Sequence, residues 1–293
     1  MTELITQVAS ERQTGARAIR ELSAAVGLSP ATYYRQRQAA VPAIQHGGEP
    51  EVRQAIQQIA LEMPSYGHRP MTAELQRRGL SAGRERVLRY MREANLLCRR
   101  RRPFVSTTDS KHALKVFPNL ARELVLTGSD QLWVADITYI RLPRQFVYLA
   151  VVLDAFSRRV IGWALERHMM TELALSALQM ALRNRQPQPG LMHHSDQGKQ
   201  YASAAYVSLL VKYQIRISMS RTANPYDNAK AERFMRTVKY EEVYLADYQT
   251  LTEARASISH FIEEVYNRKR LHSALGYRPP VEFEQLSSQP LLA

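Results

Sequence analysis

A single cysteine, Cys98, leaves this 293-residue chain without an internal disulfide and without the thiolates of a cysteine-rich zinc cluster. Long uncharged apolar runs are missing too. Nothing approaches the roughly 20 consecutive apolar residues of a membrane span, and Met1 to Ser10 has neither the basic head nor the apolar middle of a secretory leader. No membrane partner is expected, and the expected compartment is a reducing cytoplasm. Repeats and low-complexity tracts are also lacking. Acid is scarce: 27 Asp and Glu face 40 Lys and Arg, a formal charge of +13 with a pI near 10.0. More than half of that excess lies in residues 1–129. Polyanions are the natural partners of such a surface, because neutralised phosphates release condensed counterions and so drive association. What the chain does have is 45% apolar residues, enough for a buried core, and a length that fits about two domains.

The first part reads as helical. Residues 16–26 have helical character, Gly27-Leu28 makes a turn, and Ser29-Pro30 puts a capping hydroxyl and a first-turn proline ahead of ATYYRQRQ. That is the outline of a helix-turn-helix, with Thr32, Tyr33, Arg35 and Arg37 on or near a groove-facing helix. Two short helices around a glycine also occur in any α-rich protein, and Tyr33-Tyr34 could equally pack a core. Breakers from Val41-Pro42 to Glu49-Pro50 mark a linker. Helices are then expected over 51–62, over 70–78 between Pro70 and Gly79, and over 84–94, where Val87, Leu88 and Met91 share a face. They make a second small bundle of helix-turn-helix type, with Arg84 and Arg86 as candidate DNA contacts. Arg99, Arg100, Arg101 and Arg102 form an unbroken basic run before Pro103, either a plain linker or a connector lying along phosphates.

From Gln131 the pattern changes to β. WVADITYI, FVYLAVVLD and RRVIGWAL read as three consecutive strands. A helix over 171–183, a short strand LMHHS, a helix over 203–212 and a strand IRISM follow, then helices over about 230–243 and 251–267. The alternation implies a mixed α/β sheet. Three carboxylates stand out on it. Asp136 sits inside a strand, opposite in parity to Trp133, Ala135 and Ile137, where an acid is costly unless something binds it. Asp196 follows a strand end, where open α/β sheets place ligands. Glu232 lies in the first turns of a helix whose apolar stripe, Phe234 and Val238, is roughly 200° away from it, with Arg236 and Lys239 sharing the acid's face. Hard oxygen donors of this kind suit magnesium or manganese better than zinc. Each acid alone has an ordinary explanation as a strand end, a turn cap or an i,i+4 ion pair with Arg236. The joint placement carries the functional reading. His193, His194 and Asp154 are left out of the ligand set as strand-end and turn residues, Trp133 and Trp163 as sheet packing, and Cys98 as a bystander.

The segments Trp133-x-x-Asp136-Ile137-Thr138-Tyr139, His194-Ser195-Asp196-Gln197-Gly198-x-x-Tyr201 and Asn224-Pro225-Tyr226-Asp227-Asn228-Ala229-x-Ala231-Glu232-Arg233 closely resemble the integrase-core transposases of bacterial insertion sequences, in the insertion sequence three (OrfB-type) family. Thirty-five residues separate Asp196 from Glu232, as in the D,D-35-E pattern, and Lys239 falls where that family keeps a basic residue. SYGHRPMTAELQRRG resembles its second helix-turn-helix, and YNRKRLHSALGYRPPVEF its C-terminal signature. The resemblance implies a ribonuclease-H-like catalytic domain of mixed five-stranded sheet and helices. Asp136, Asp196 and Glu232 would hold two Mg2+ ions, for which Mn2+ can substitute. The implied reaction is 3′-end cleavage at the element's terminal inverted repeats, then strand transfer into target DNA. Lys239 and Arg236 would contact phosphates, and Asn228, with Asp227, would shape the DNA-facing loop before the catalytic helix. The implied partners are double-stranded DNA, a second copy or larger assembly on that DNA, and an upstream-frame protein, in the nucleoid of a bacterium. No sustained heptad is visible that would supply the family's usual zipper.

The expected division is a first helix-turn-helix domain over 1–46, a second over 47–98, a basic linker over 99–126, the catalytic domain over 127–285 and a tail over 286–293. Two other readings keep the same residues: a metal-dependent nuclease that only hydrolyses, and a catalytically silent DNA-binding regulator.

Overall fold

The computed structural model describes residues 48–97, 114–221 and 227–288, in two units, one α-helical and one α/β. The first helix-turn-helix, with Thr32, Tyr33, Arg35 and Arg37, and the basic run Arg99 to Arg102 lie outside the described residues.

The helical unit follows its apolar spacing. In α1 (Glu49–Glu62) Val52, Ile56 and Ile59 are buried, in α2 (His68–Arg77) Met71 and Leu75, and in α3 (Arg84–Glu93) Val87, Tyr90 and Met91. These i, i+3, i+4 and i+7 positions are one stripe of each helix. Gly79, at φ +79°, ends α2 in the left-handed conformation that glycine adopts without penalty, and Leu80 N–H closes the turn on Leu75 at 2.9 Å. Arg53 links α1 to α3. Its guanidinium bonds Glu49 at 2.8 Å and Glu93 at 2.6 Å and lies 4.0 Å over the Tyr90 ring.

The α/β unit is a five-stranded sheet in the order β3-β2-β1-β4-β5. The strands are β1 (Leu132–Arg141), β2 (Phe146–Asp154), β3 (Val160–Glu166), β4 (Met192–Ser195) and β5 (Arg216–Met219). The first three pair antiparallel, as tight connections allow. β4 and β5 join parallel, each reached through a helix: α4 (Thr171–Arg185) and α5 (Ala204–Lys212). This is the mixed sheet that the resemblance implied. α6 (Ala229–Val238) runs on into a π-turn over Lys239–Val243, and α7 (Leu251–His260) into another over Phe261–Tyr266, before a short 3-10 turn and α8 (Pro280–Ser287).

Period-two alternation on β1 sorts the two cores. Trp133 and Ala135 face Leu178, Ala181 and Tyr206 of α4 and α5. Leu132 and Val134 face the other layer, with Phe234 and Val238 of α6 and Ile258 of α7. Asp136 has the parity of Leu132 and Val134 and so points to the side of the sheet covered by α6. The stretch before β1 has no regular structure but lies on the unit: Phe117 packs on one core, Ala121 and Leu126 on the other, and Leu120 N–H donates to Ser218 Oγ at 2.9 Å. Among the described residues no helix is long and apolar enough to cross a membrane.

Candidate active site

The sheet register brings the first two acids level. On the parallel pair β1 and β4, Trp133 stands beside His193 and Val134 beside His194. Continued two residues onward, the same offset places Asp196, just past the end of β4, alongside Asp136. The ladder itself ends at Val134 and His194, so both acids stand just past the point where β1 and β4 part. Glu232 approaches from α6, one turn after the helix start, with its side chain exposed while Ala231, Phe234 and Val238 are buried.

The electrostatics tie the three together. Asp136 is held well above the ordinary aspartate range, first by burial, then by the charge of Asp196, with Glu232 adding to the shift; the Ile137 N–H, 2.8 Å from Oδ1, and Lys239 act against it. Glu232, open to solvent on one side, is also raised, first by partial desolvation against the protein and then by Asp196. Asp196 Oδ1 accepts the Gly198 N–H at 2.9 Å, and a Cβ on Gly198 would stand 2.9 Å from that same oxygen. Among the described residues no three His, Cys, Asp or Glu side chains close into a metal cage as they stand. The acids share an edge and a field, not a formed coordination sphere.

Two residues named from the sequence sit differently from the expectation. Lys239 was placed on the exposed face with Arg236 and Glu232, but it is 5% exposed, its Nζ 4.6 Å from the Tyr139 ring. Burial lowers its pKa to about 8 against the opposing pull of Asp136. The helix keeps ordinary α hydrogen bonding up to this residue, whose N–H bonds the Met235 carbonyl, and it is the long side chain that runs back to β1. Arg236 stays exposed, 5.6 Å from the Tyr240 ring. Asn228, expected in a DNA-facing loop, is buried, and its Nδ2 donates to the Ala135 carbonyl at 3.0 Å. Just before it, Asp227 accepts Arg221 N–H at 3.0 Å and Nε at 3.2 Å, and the hydrogen bond to Arg221 holds its pKa down at about 2. In the helical unit Arg84 is exposed at the start of α3, whereas Arg86 is half-buried, its guanidinium 5.8 Å from the Tyr90 ring.

The residues set aside have structural partners. His193 shares a hydrogen bond with Tyr206 Oη at 2.9 Å, and His194 bridges Ser218 Oγ at 2.8 Å and Ser220 Oγ at 3.0 Å. Burial lowers their pKa values to about 3 and about 4, so both rings are neutral. Asp154 is fully buried and collects the N–H groups of Asp130, Phe156 and Ser157 at 2.7, 3.0 and 2.8 Å. Trp133 packs in the sheet core and donates to Asp130 Oδ1 at 2.8 Å. Sequence reasoning gave Gly198 and Tyr201 no role. Tyr201 is buried beside Tyr206, with its hydroxyl in the field of Asp196 and Asp136. Both stand in the His194-Ser195-Asp196-Gln197-Gly198-x-x-Tyr201 motif, two and five residues after Asp196, and that membership was the signal.

Residues 127–225 and 213–280 both match the family described as integrase core domain, and residues 49–104 match the HTH-like domain. A 31 kDa protein of insertion element IS600 from Shigella sonnei is 39% identical over 75% of this chain and 82% of its own length. The transposase for insertion sequence element IS904 of Lactococcus lactis is 37% identical over 76% and 88%. Transposase InsF for insertion sequence IS3A of Escherichia coli is 37% identical over 75% and 76%. Among solved structures, a simian T-cell lymphotropic virus intasome aligns with a TM-score of 0.46 and 19% identity, over 76% of this chain and 72% of that one.

Proposed function

The chain belongs to the insertion-sequence transposases of the insertion sequence three family, enzymes with an integrase core and a helix-turn-helix DNA-binding region, and from that premise we propose that Asp136, Asp196 and Glu232 are its catalytic acids. Its partner is DNA. The observation that carries the assignment is geometric: the parallel β1–β4 pairing runs up to the residues just before Asp136 and Asp196, and α6, packed on the side of the sheet to which Asp136 points, presents Glu232.

Such a set fits a hard divalent cation. All donors are carboxylate oxygens, and positive charge between them relieves the repulsion that disfavours their ionised forms. We assign two Mg2+ ions to it, replaceable by Mn2+. When bound, divalent cations lower the cost of deprotonating an attacking water or 3′-hydroxyl and stabilise the departing 3′-oxygen. The protein's own share is placement. β1 and the end of β4 hold two acids at a fixed offset, and α6 presents the third. Gly198 N–H orients Asp196, and the Ile137 N–H orients Asp136. Arg236 is free to meet flanking phosphate from the exposed face of α6, and Lys239 reaches a phosphate only at the Asp136 edge, where its charge would also offset the acids. Arg84, with the basic run Arg99 to Arg102 and the first helix-turn-helix, would bind the terminal repeats. The expected domain limits, a second copy on the paired ends, and an upstream-frame partner belong to the same proposal.

A pre-cut element end incubated with a target plasmid and Mn2+ tests it. Joined product is expected from the unsubstituted protein and none from Asp136→Asn, which should still bind end DNA. Hydrolysis without joining would favour the nuclease reading, and parallel loss of binding and joining would make Asp136 a structural acid.

A further inference from the structure

Asn228 immediately precedes α6, the helix that carries Glu232. Asparagine in that position ordinarily turns its side chain back onto a free N–H of the first helical turn. Here it makes no such cap. Its Nδ2 instead crosses to β1 and donates to the Ala135 carbonyl at 3.0 Å, next in sequence to Asp136. On the helix side, the Asn228 carbonyl accepts the Glu232 N–H at 3.2 Å. One residue therefore joins the backbone beside the first acid to the backbone of the third.

The surroundings make this link more than packing. Asn228 is 5% exposed, and its Oδ1 is buried without a hydrogen bond. A half-satisfied amide in such a place is unfavourable compared with an apolar side chain of similar size, so the bond to Ala135 is what the amide contributes. β1 is held on both sides, by β2 and by β4, and makes a rigid anchor. α6 is also held on the sheet by Phe234 and Val238, and in its first turn by the small Ala231 alongside this tether.

We infer that Asn228 is a positioning residue whose bond to Ala135 sets the separation of the Glu232 and Asp136 carboxylates. The inference rests on the reading of those acids as cation ligands. The test is Mn2+ binding to the full chain by titration calorimetry, with thermal melting in EDTA, for the unsubstituted protein, Asn228→Ala, Asn228→Ser and Glu232→Gln. Serine keeps a capping hydroxyl at the helix start and is too short to reach Ala135, so it separates helix stability from the tether. Both Asn228 variants are expected to bind Mn2+ about tenfold or more weakly, as when other outer partners of metal ligands are removed. Their strand-transfer activity should need more Mn2+ for half-saturation, a shift that a loss of stability alone would not produce. Normal Mn2+ affinity in either folded Asn228 variant, with affinity lost in Glu232→Gln, overturns the positioning role and leaves the acids standing. Unchanged affinity in Glu232→Gln removes the ligand reading and the inference with it. If Asn228→Ala does not fold, Asn228→Ser decides by the same comparison.

Discussion

At the scale of single residues, an acid placed for a cation is a liability to the fold that carries it. Asp136 is raised by burial first and by Asp196 second, so the folded state favours its protonated form. That preference stabilises below the ordinary aspartate pKa of about 3.9 and is lost as pH rises through the raised folded value. Above that window the metal-free fold bears the cost of burying the acid and of setting it beside Asp196. Asp136→Asn is therefore expected to melt above the unsubstituted protein in EDTA at neutral pH, with the gap closing toward about pH 4. Added Mn2+ should reverse the order by stabilising only the protein that binds it. A variant that melts lower at neutral pH in EDTA contradicts the assignment of Asp136 as a strained ligand. Gly198 allows a second test. A methyl group there would sit 2.9 Å from Asp196 Oδ1 and 3.3 Å from Gln200 Oε1, so Gly198→Ala must displace the carboxylate that the Gly198 N–H now holds. Strand transfer is expected to fall about tenfold or more while the melting curve stays cooperative. Full activity would show that Asp196 needs no such orientation.

At the scale of elements, the sheet is closed by contacts that leave no room for a side chain. A Cβ on Gly162 in β3 would overlap the Ala177 carbonyl of α4 and stand 2.6 Å from the Ala181 nitrogen. Both obstacles are backbone and cannot swing aside. Gly162→Ala should cost about 1–3 kcal/mol in denaturant unfolding, the range of an overpacked core, and an unchanged midpoint would mean that α4 rides looser on the sheet than its contacts indicate. The far edge of β3 is held by Asn267, whose Oδ1 accepts Val160 N–H and whose Nδ2 donates to Val160 O, both at 3.0 Å. Glu284 of α8 adds ion pairs to Arg159 at 2.7 Å and to Arg185. Much of this architecture was legible in advance, because long apolar periods name their own elements: 51–62 is found as Glu49–Glu62 and 84–94 as Arg84–Glu93. The three proposed acids stand out in the sequence through motif and spacing. The inward course of the Lys239 side chain to Tyr139 was not legible, since hydropathy assigns a lysine to a face and does not record where its long stem folds back. Neither was the tether from Asn228 to Ala135, a contact across 93 positions that no local pattern encodes.

At the scale of the whole molecule, the excess of 40 basic over 27 acidic residues is more than folding uses. Ion pairs such as those of Arg53, Arg185 and Arg270, the last bonding Glu241 at 2.6 Å, take up acids and bases together and leave that excess unchanged. It is available to phosphate. Each phosphate neutralised releases condensed counterions, so log affinity for element-end DNA should fall linearly with log salt, with a slope of about −0.9 per phosphate contact. Arg84 is the described cation best suited to a single-residue version of the test, because it is exposed at the start of a helix whose buried face, Val87, Tyr90 and Met91, the substitution leaves alone. Arg84→Ala is expected to leave the fold intact and to make the measured slope shallower by about 1, weakening binding to end and random duplexes alike. If Arg84 reads a base instead, the slope stays and the preference for the terminal repeat drops. A binding constant that does not respond to salt would separate the charge of this chain from its affinity for DNA altogether.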